Sequence, residues 1–262
     1  MSIAIIIPAR FNSKRLPGKP MAMVAGVSLL ERVWRIARAV QGVSRVVIAT
    51  DDQRIADHAS GFGADSLMTP VGLATGTDRV RAALTVMTPK PTAVINLQGD
   101  AVLTPPWVVQ AVVDEFHADP DVGMVTAAVQ CSWRQLAEIQ ELKAQSPSSA
   151  TLVTLDLAGR ALYFSKAMIP YLRSRDLPQP PVHRHIGIYG YSVDILERLA
   201  GLPQTPLEIA EQLEQLRALE HGIPIKVAVV DYRGRTHGSV DSPEDIRVIE
   251  EIIAREGELV PQ

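Results

Sequence analysis

The first twenty residues constrain this chain more than any other stretch. Ser2 to Ile7 read SIAIII, an apolar strand with nothing polar after Ser2, and Pro8 is expected to end it. Such a run suits the middle of a parallel sheet covered on both faces. Arg10, Lys14, Arg15 and Lys19 follow within ten residues, and Gly18 lets the backbone bend sharply among them. A buried parallel strand delivers this loop at its carboxyl end, where open α/β sheets bind ligands. A loop with these cations and turn residues suits a polyanion, a nucleoside triphosphate first among them. A solvated basic turn has the same composition, and spacing alone does not separate the two.

The totals narrow the field. A chain of 262 residues, 47% hydrophobic, can bury the core of one large α/β domain or two small ones. A net charge of −3 argues against a protein that coats nucleic acid. The single cysteine, Cys131, excludes an intrachain disulfide and suits a reducing compartment. No apolar run approaches the roughly 18 residues of a membrane span. The first apolar stretch has its charges after it rather than before it, the reverse of a secretory signal. The expectation is a soluble cytoplasmic protein with neither a nucleic-acid nor a membrane partner.

Strand and helix patterns then alternate. Leu29, Leu30, Val33, Ile36, Ala37 and Val40 mark a helix within residues 27–40. Arg45 to Thr50 (RVVIAT) read as a strand ending at Asp51-Asp52, and Ile55 to His58 as the start of a short helix. Ala64 to Met68 suit a third strand. Ala74 to Arg79 (ATGTDR) form a turn that starts a helix running to Met87. Thr92 to Leu97 (TAVINL) form a strand ending in Gln98-Gly99-Asp100, and Pro105-Pro106 open a helix to about His117. This order predicts a mainly parallel sheet with right-handed crossovers. In the second half, a strand is expected at 123–129, a helix at 133–145, and a hairpin of 151–155 with 160–164. The charged, proline-rich 173–181 reads as a loop. His185 to Tyr191 (HIGIYGY) read as a strand whose glycines suggest close backbone approach. A long helix is expected over Leu207–Glu220, a strand at 224–230, and a last helix from Ser242-Pro243 to Arg255.

Asp100 and Asp241 each follow an apolar strand region. Carboxylates at strand ends beside a cationic loop are what Mg2+-assisted phosphoryl or nucleotidyl transfer needs, because the metal takes hard oxygen ligands. Asp100 also suits a turn after Gly99, and Asp241 also suits a charge that offsets a helix dipole. Trp34, Trp107 and Trp133 suit packing. His58, His117, His183, His221 and His237 show no metal-ligand spacing. Glu208, Glu211 and Glu214 fall on one helical face of the kind that is ordinarily solvated.

The stretch Pro8-Ala9-Arg10-Phe11-Asn12-Ser13-Lys14-Arg15-Leu16-Pro17-Gly18-Lys19-Pro20 resembles the signature loop of the 3-deoxy-manno-octulosonate (Kdo) cytidylyltransferases, or CMP-Kdo synthetases. So do Ala49-Thr50-Asp51, Thr75-Gly76-Thr77-Asp78-Arg79, Gln98-Gly99-Asp100, 161–165, 185–191, 213–217 and 240–245, in the expected order. The last third also looks like the variant acting on 8-amino-8-deoxy-Kdo. The resemblance implies an α/β fold of the nucleotide-diphospho-sugar transferase type. It has a Rossmann-like, mainly parallel sheet with helices on both faces, plus a smaller mixed-sheet acceptor and dimerisation region. Within one domain spanning 1–262 it implies a CTP part at 1–130, an acceptor and dimerisation part at 131–230, and a metal-ligand segment with a helix at 231–262.

The resemblance also implies the reaction: CMP passes from CTP to the anomeric hydroxyl of a Kdo-like acid and pyrophosphate leaves, a step in lipopolysaccharide precursor synthesis. Lys19, Asp100 and Asp241 would be catalytic, with the two aspartates holding Mg2+. Arg10, Ser13 and Arg15 would hold the triphosphate, and Thr75, Gly76 and Arg79 the pyrimidine side. Gln98 would lie between nucleotide and acceptor. Lys166, His185, Tyr189, Glu208 and Gln215 would face the sugar acid. A homodimer is implied as well.

Three departures fall on the acceptor side. Ala101 and Val102 stand where the family has an acidic or amide residue and then proline. Ser149 and Leu152 stand where it has asparagine and lysine. Lys166 stands where it has arginine, which keeps the charge and loses the bidentate fork. They imply an intact nucleotide site and an altered acceptor site. The alternatives are the same chemistry on 8-amino-Kdo or another acid, or a nucleotide-binding protein with reduced catalysis, which Ala101 favours and the paired aspartates oppose. A dinucleotide-binding dehydrogenase is disfavoured, since no G-x-G-x-x-G follows the first strand.

Overall fold

A computed structural model describes residues 1–13 and 15–260. β1 (Ile3–Ala9) leads into the cationic loop, a 3-10 turn at Lys19–Met21, and a small hairpin of β2 (Met23–Val24) and β3 (Val27–Ser28). Next come α1 (Leu29–Arg38), β4 (Arg45–Thr50), α2 (Gln53–Gly61), β5 (Asp65–Met68), α3 (Gly76–Val86), β6 (Ala93–Asn96) and α4 (Pro106–Ala118). β7 (Met124–Gln130), α5 (Trp133–Gln145), β8 (Leu152–Leu155), β9 (Ala161–Ser165), β10 (His183–Ser192) and α6 (Val193–Ala200) follow. α7 (Pro206–Glu211), α8 (Gln215–Glu220), β11 (Lys226–Val229) and α9 (Pro243–Glu256) complete the described chain. No helix among the described residues is long and apolar enough to cross a membrane.

The main sheet runs β11-β7-β10-β6-β1-β4-β5, and β8 pairs with both β10 and β9. β1 pairs parallel with β4 and β6, β4 with β5, and β7 with β11. β10 is antiparallel to both of its neighbours. The architecture is therefore a Rossmann-like α/β sheet. Its two cores explain the continuous apolar run of β1. Ile3, Ile5 and Ile7 enter the core that holds residues of α1, α4 and α9, while Ala4 and Ile6 enter the opposite core with residues of α3, α6 and α8.

Four features differ from the sequence reading. Asp241 follows no strand, because 238–240 are irregular and β11 ends at Val229. β1 does not stop at Pro8: it continues through Pro8 paired with Ala49 to Ala9 paired with Thr50. A proline near a strand end sacrifices only the bond that its missing N–H would donate. The helix expected over Leu207–Glu220 is two helices, because Gln212 is left-handed at φ 53. All of its residues are ordinary helix residues, so propensity gave no sign of the break. α6 was not anticipated, since the apolar run of β10 passes into it without a turn. Ser192 caps it, accepting from the Ile195 amide.

Candidate active site

β1, β4 and β6 run side by side, so their carboxyl ends open into one cleft of ≈ 500 Å³. The loop after β1 contributes Arg10, Ser13, Arg15 and Lys19. The start of α3 contributes Thr75, Gly76 and Arg79, the turn after β6 contributes Gln98 and Asp100, and the entry to α9 contributes Asp241. The fold thus brings together all ten residues assigned to the nucleotide and metal side.

Local structure fixes most of them. The Phe11 carbonyl accepts from the amides of Ser13 and Gly18, both at 2.9 Å, and Gly18 takes φ 70 to close that turn. The Arg54 guanidinium lies 3.4 Å above the Phe11 ring and holds the loop to α2. Thr75 and Asp78 form a reciprocal capping box that begins α3. Gln98 donates to the Asn96 side chain at 3.0 Å. A Cβ on Gly76 would lie 3.2 Å from the Gln98 amide oxygen, so glycine there keeps room for that amide. The Arg79 guanidinium is buried, donating to Thr69 at 2.6 Å and Asp51 at 2.9 Å, so it forms a wall of the cleft.

The chemistry centres on Lys19. Its ammonium lies 2.7 Å from Asp100 Oδ2 and 3.2 Å from Asp241 Oδ1, and Arg15 reaches the same Asp241 oxygen at 3.0 Å. The Asp245 carboxylate accepts from the amides of Asp241 and Ser242 at 2.8 and 2.7 Å, which sets Asp241 at the start of α9. Two carboxylates and two cations therefore share one end of the cleft, with charges that a polyphosphate and a divalent cation could exchange.

The five residues assigned to the acceptor do not line this cleft. His185 is buried, its Nε2 is 2.9 Å from Thr126 Oγ1, and its ring packs edge-on against Phe164 and tilted against Tyr189. Glu208 is buried in a two-pronged ion pair with Arg217. Gln215 is buried at the start of α8, after the break at Gln212. The Lys166 amide donates to Glu211 at 2.8 Å.

A family model described as cytidylyltransferase matches residues 4–227. The chain belongs to the cytidylyltransferase family. It is 50% identical over 260 residues, covering 99% of this chain and 100% of the relative, to a 3-deoxy-manno-octulosonate cytidylyltransferase of Maricaulis maris. It is 40% identical, over 97% of this chain and 99% of the relative, to an 8-amino-3,8-dideoxy-manno-octulosonate cytidylyltransferase of Shewanella piezotolerans. Among solved structures it matches a CMP:2-keto-3-deoxy-manno-octonic acid synthetase complexed with CTP. There the TM-score is 0.87 and the identity 32%, covering 98% of this chain and 100% of that one.

For this cytidylyltransferase the sequence reading missed several supporting groups. Asp51 and Thr69 anchor Arg79, and Asp245 sets Asp241. Glu211 accepts from Ser165 at 2.5 Å and Tyr163 at 3.3 Å as well as from the Lys166 amide. The expected solvated face of Glu208, Glu211 and Glu214 does not exist: the first is buried and the others are partly buried, because the turn at Gln212 redirects the chain. Lys143 brings a cation to the turn at 149–150. Its ammonium donates to the carbonyls of Ser149, Ala150 and Lys166 at 2.5, 2.8 and 2.5 Å.

Burial works to raise the Glu208 carboxyl, and the bonds from Arg217 and the Thr205 amide outweigh it, so it sits below the usual range. Glu208→Ala would strand the Arg217 charge and is expected to destabilise the fold by about 3 kcal/mol, read from urea midpoints.

Burial pulls His185 down to about 3. An unfolded histidine protonates near 6.5, so between these values the unfolded chain holds the extra proton and stability falls as pH falls. Wild type should lose up to about 1.4 kcal/mol per pH unit from this group, and His185→Gln should lose correspondingly less between pH 7 and 5. Taking the difference cancels Glu214, whose burial-raised carboxyl works in the opposite sense.

Proposed function

We propose that this chain transfers CMP from CTP to the anomeric hydroxyl of a Kdo-like sugar acid, releasing pyrophosphate, with Mg2+ held by Asp100 and Asp241. The observation that carries the reading is the position of Lys19, in the loop after β1, between Asp100 after β6 and Asp241 before α9. Both aspartates reach one ammonium, so they are close enough to share one cation, and their hard oxygens suit Mg2+. Among the described residues no larger cluster of metal-ligating side chains occurs, so phosphate and water oxygens would complete the coordination. Bound there, the metal would neutralise phosphate charge and help align the reacting oxygens.

The remaining steps fall to this chain's own side chains. Arg10, Arg15 and Lys19 take the triphosphate, with Arg15 and Lys19 exchanging aspartate oxygens for phosphate oxygens. Thr75, Gly76 and Arg79 wall the base, and Gln98, oriented by Asn96, faces the acceptor. The acceptor oxygen bonds to the α-phosphorus as the bond to the β-phosphate oxygen breaks. The hydroxyl proton passes to solvent and pyrophosphate leaves. Positioning and charge stabilisation carry the rate. Lys166, His185, Tyr189, Glu208 and Gln215, joined by Glu211, form the acceptor side in this reading.

A homodimer is part of the proposal, supported by Leu157, Leu162, Tyr171 and Leu177, large apolar side chains exposed on the β8–β9 hairpin and the segment after it. A cytoplasmic location and a role in lipopolysaccharide precursor synthesis go with it.

The test is initial-rate pyrophosphate release with CTP and Mg2+ across Kdo, 8-amino-Kdo and related 2-keto-3-deoxy acids. Release with Kdo supports the reading. Release with 8-amino-Kdo alone moves the substrate to the amino sugar, and no release with any acid, despite CTP binding, overturns it.

A further inference from the structure

A second cavity, of ≈ 350 Å³, lies between α5, the β7–β10 pair and the segment that leads from β11 to α9. Its size is that of a small-molecule site. It is separate from the nucleotide cleft, with no lining residue in common. Arg184 and Ile186 point into it from β10, whereas His185 belongs to the opposite core, so it also lies across the sheet from the proposed acceptor residues.

Arg184 is the unusual group. It is partly buried, and desolvation lowers its pKa from the ordinary arginine value. Its guanidinium contacts His237 Nδ1 at 3.1 Å, and among the described residues no carboxylate forms an ion pair with it. Burial, with Arg184 beside it, brings His237 down to about 3, so that partner is a neutral imidazole and leaves the arginine charge unmatched. The other charges at the cavity are engaged. Arg235 donates to the carbonyls of Glu256, Gly257 and Glu258 at the end of α9. Arg134 pairs with Glu138 at the exposed rim, and the Asp231 carboxylate accepts from the Arg233 amide. The rest of the lining mixes the apolar Val129, Ile139, Leu142 and Ile186 with the polar Gln135, Tyr232 and Thr236.

We propose that this cavity is a second ligand site, in which Arg184 binds the carboxylate of a small organic acid whose apolar body packs against Ile139, Leu142 and Ile186. A guanidinium whose one side-chain partner is a neutral ring keeps N–H donors for a planar carboxylate, and the two groups match as a bidentate pair. Val129, Ile139, Leu142 and Ile186 form an apolar patch beside the guanidinium that the body of an organic acid can cover and a compact, fully hydrated anion such as phosphate cannot.

The site is tested on the full-length protein, held in saturating CTP and Mg2+ without acceptor so that the nucleotide cleft is filled. Benzoate, butyrate and inorganic phosphate are titrated by calorimetry. Benzoate is expected to bind more tightly than butyrate, with no heat from phosphate. Arg184→Gln should weaken benzoate at least about ten-fold, the loss of a charge-assisted bond. Leu142→Trp, at the half-exposed edge of the cavity, should weaken it similarly with Arg184 intact, which keeps the test informative if Arg184→Gln fails to fold. Lys166→Ala should leave it unchanged. Absence of benzoate binding overturns the proposal. So does binding that survives both cavity variants, binding lost in Lys166→Ala instead, or phosphate binding in benzoate's place. None of these outcomes depends on whether the transferase reading holds.

Discussion

Asp100→Asn and Asp241→Asn are each expected to lower the kcat of CTP-dependent pyrophosphate release by about 10²–10³-fold, the usual cost of removing one preorganised charged group from a transition state. Asparagine keeps the volume and removes the negative charge that would hold a divalent cation. The effect belongs in kcat, because the triphosphate contacts proposed for Arg10, Arg15 and Lys19 remain. The aspartate side chains are 31% and 42% exposed, so their pairs with Lys19 and Arg15 add little to stability. Melting temperatures should therefore move little while turnover collapses. Arg15→Ala gives the contrast, since a phosphate contact made alike in ground and transition states raises KM and leaves kcat near wild type. Equal loss of kcat in all three variants would refute the division of roles between the carboxylates and the loop.

Gly190→Val is expected to be the most damaging single change to the fold, costing about 3 kcal/mol or preventing folding altogether. Gly190 lies in β10 between Ile95 of β6 and Val125 of β7. A Cβ placed there would stand 2.4 Å from Phe116 Cε2, 3.0 Å from Ile95 Cδ1 and 3.1 Å from Val112 Cγ1. These side chains are fully buried, so none can swing into solvent. α4 rests directly on the bare backbone at this point. Gly187, three residues away, meets nothing within 4 Å. It lies where the β7–β10 register shifts between Ile186 and Tyr189. Gly187→Ala should leave the urea midpoint nearly unchanged. Similar destabilisation by both substitutions would show that strand propensity rather than packing governs the position.

Most of the nucleotide side of this molecule was legible because its residues sit at strand ends. An apolar run fixes a strand, the strand fixes where its following loop points, and Arg15, Lys19 and Asp100 meet for that reason, whereas Asp241 joins them from the entry to α9 with no strand before it. Gly190 was legible only as a bare strand position: the sequence suggested a close approach without saying that Phe116 makes it. The acceptor side was harder to read. Glu208, Glu211 and Glu214 share a helical spacing that ordinarily means water, and the one left-handed residue that overturns this, Gln212, has no glycine or proline to announce it. Lys143 lies in an amphipathic helix like many surface lysines, and only the folded turn at 149–150 brings carbonyls to it. Supporting groups such as Asp51 and Asp245 were invisible because their partners are distant or backbone.

The most direct measurement is 31P NMR of CTP, Kdo and Mg2+ incubated with the protein. The account predicts that the triphosphate resonances fall while a phosphodiester resonance and free pyrophosphate grow in equal amounts, and that Asp241→Asn stops both. Release of inorganic phosphate in place of pyrophosphate, or an unchanged spectrum with every sugar acid tried, would contradict it.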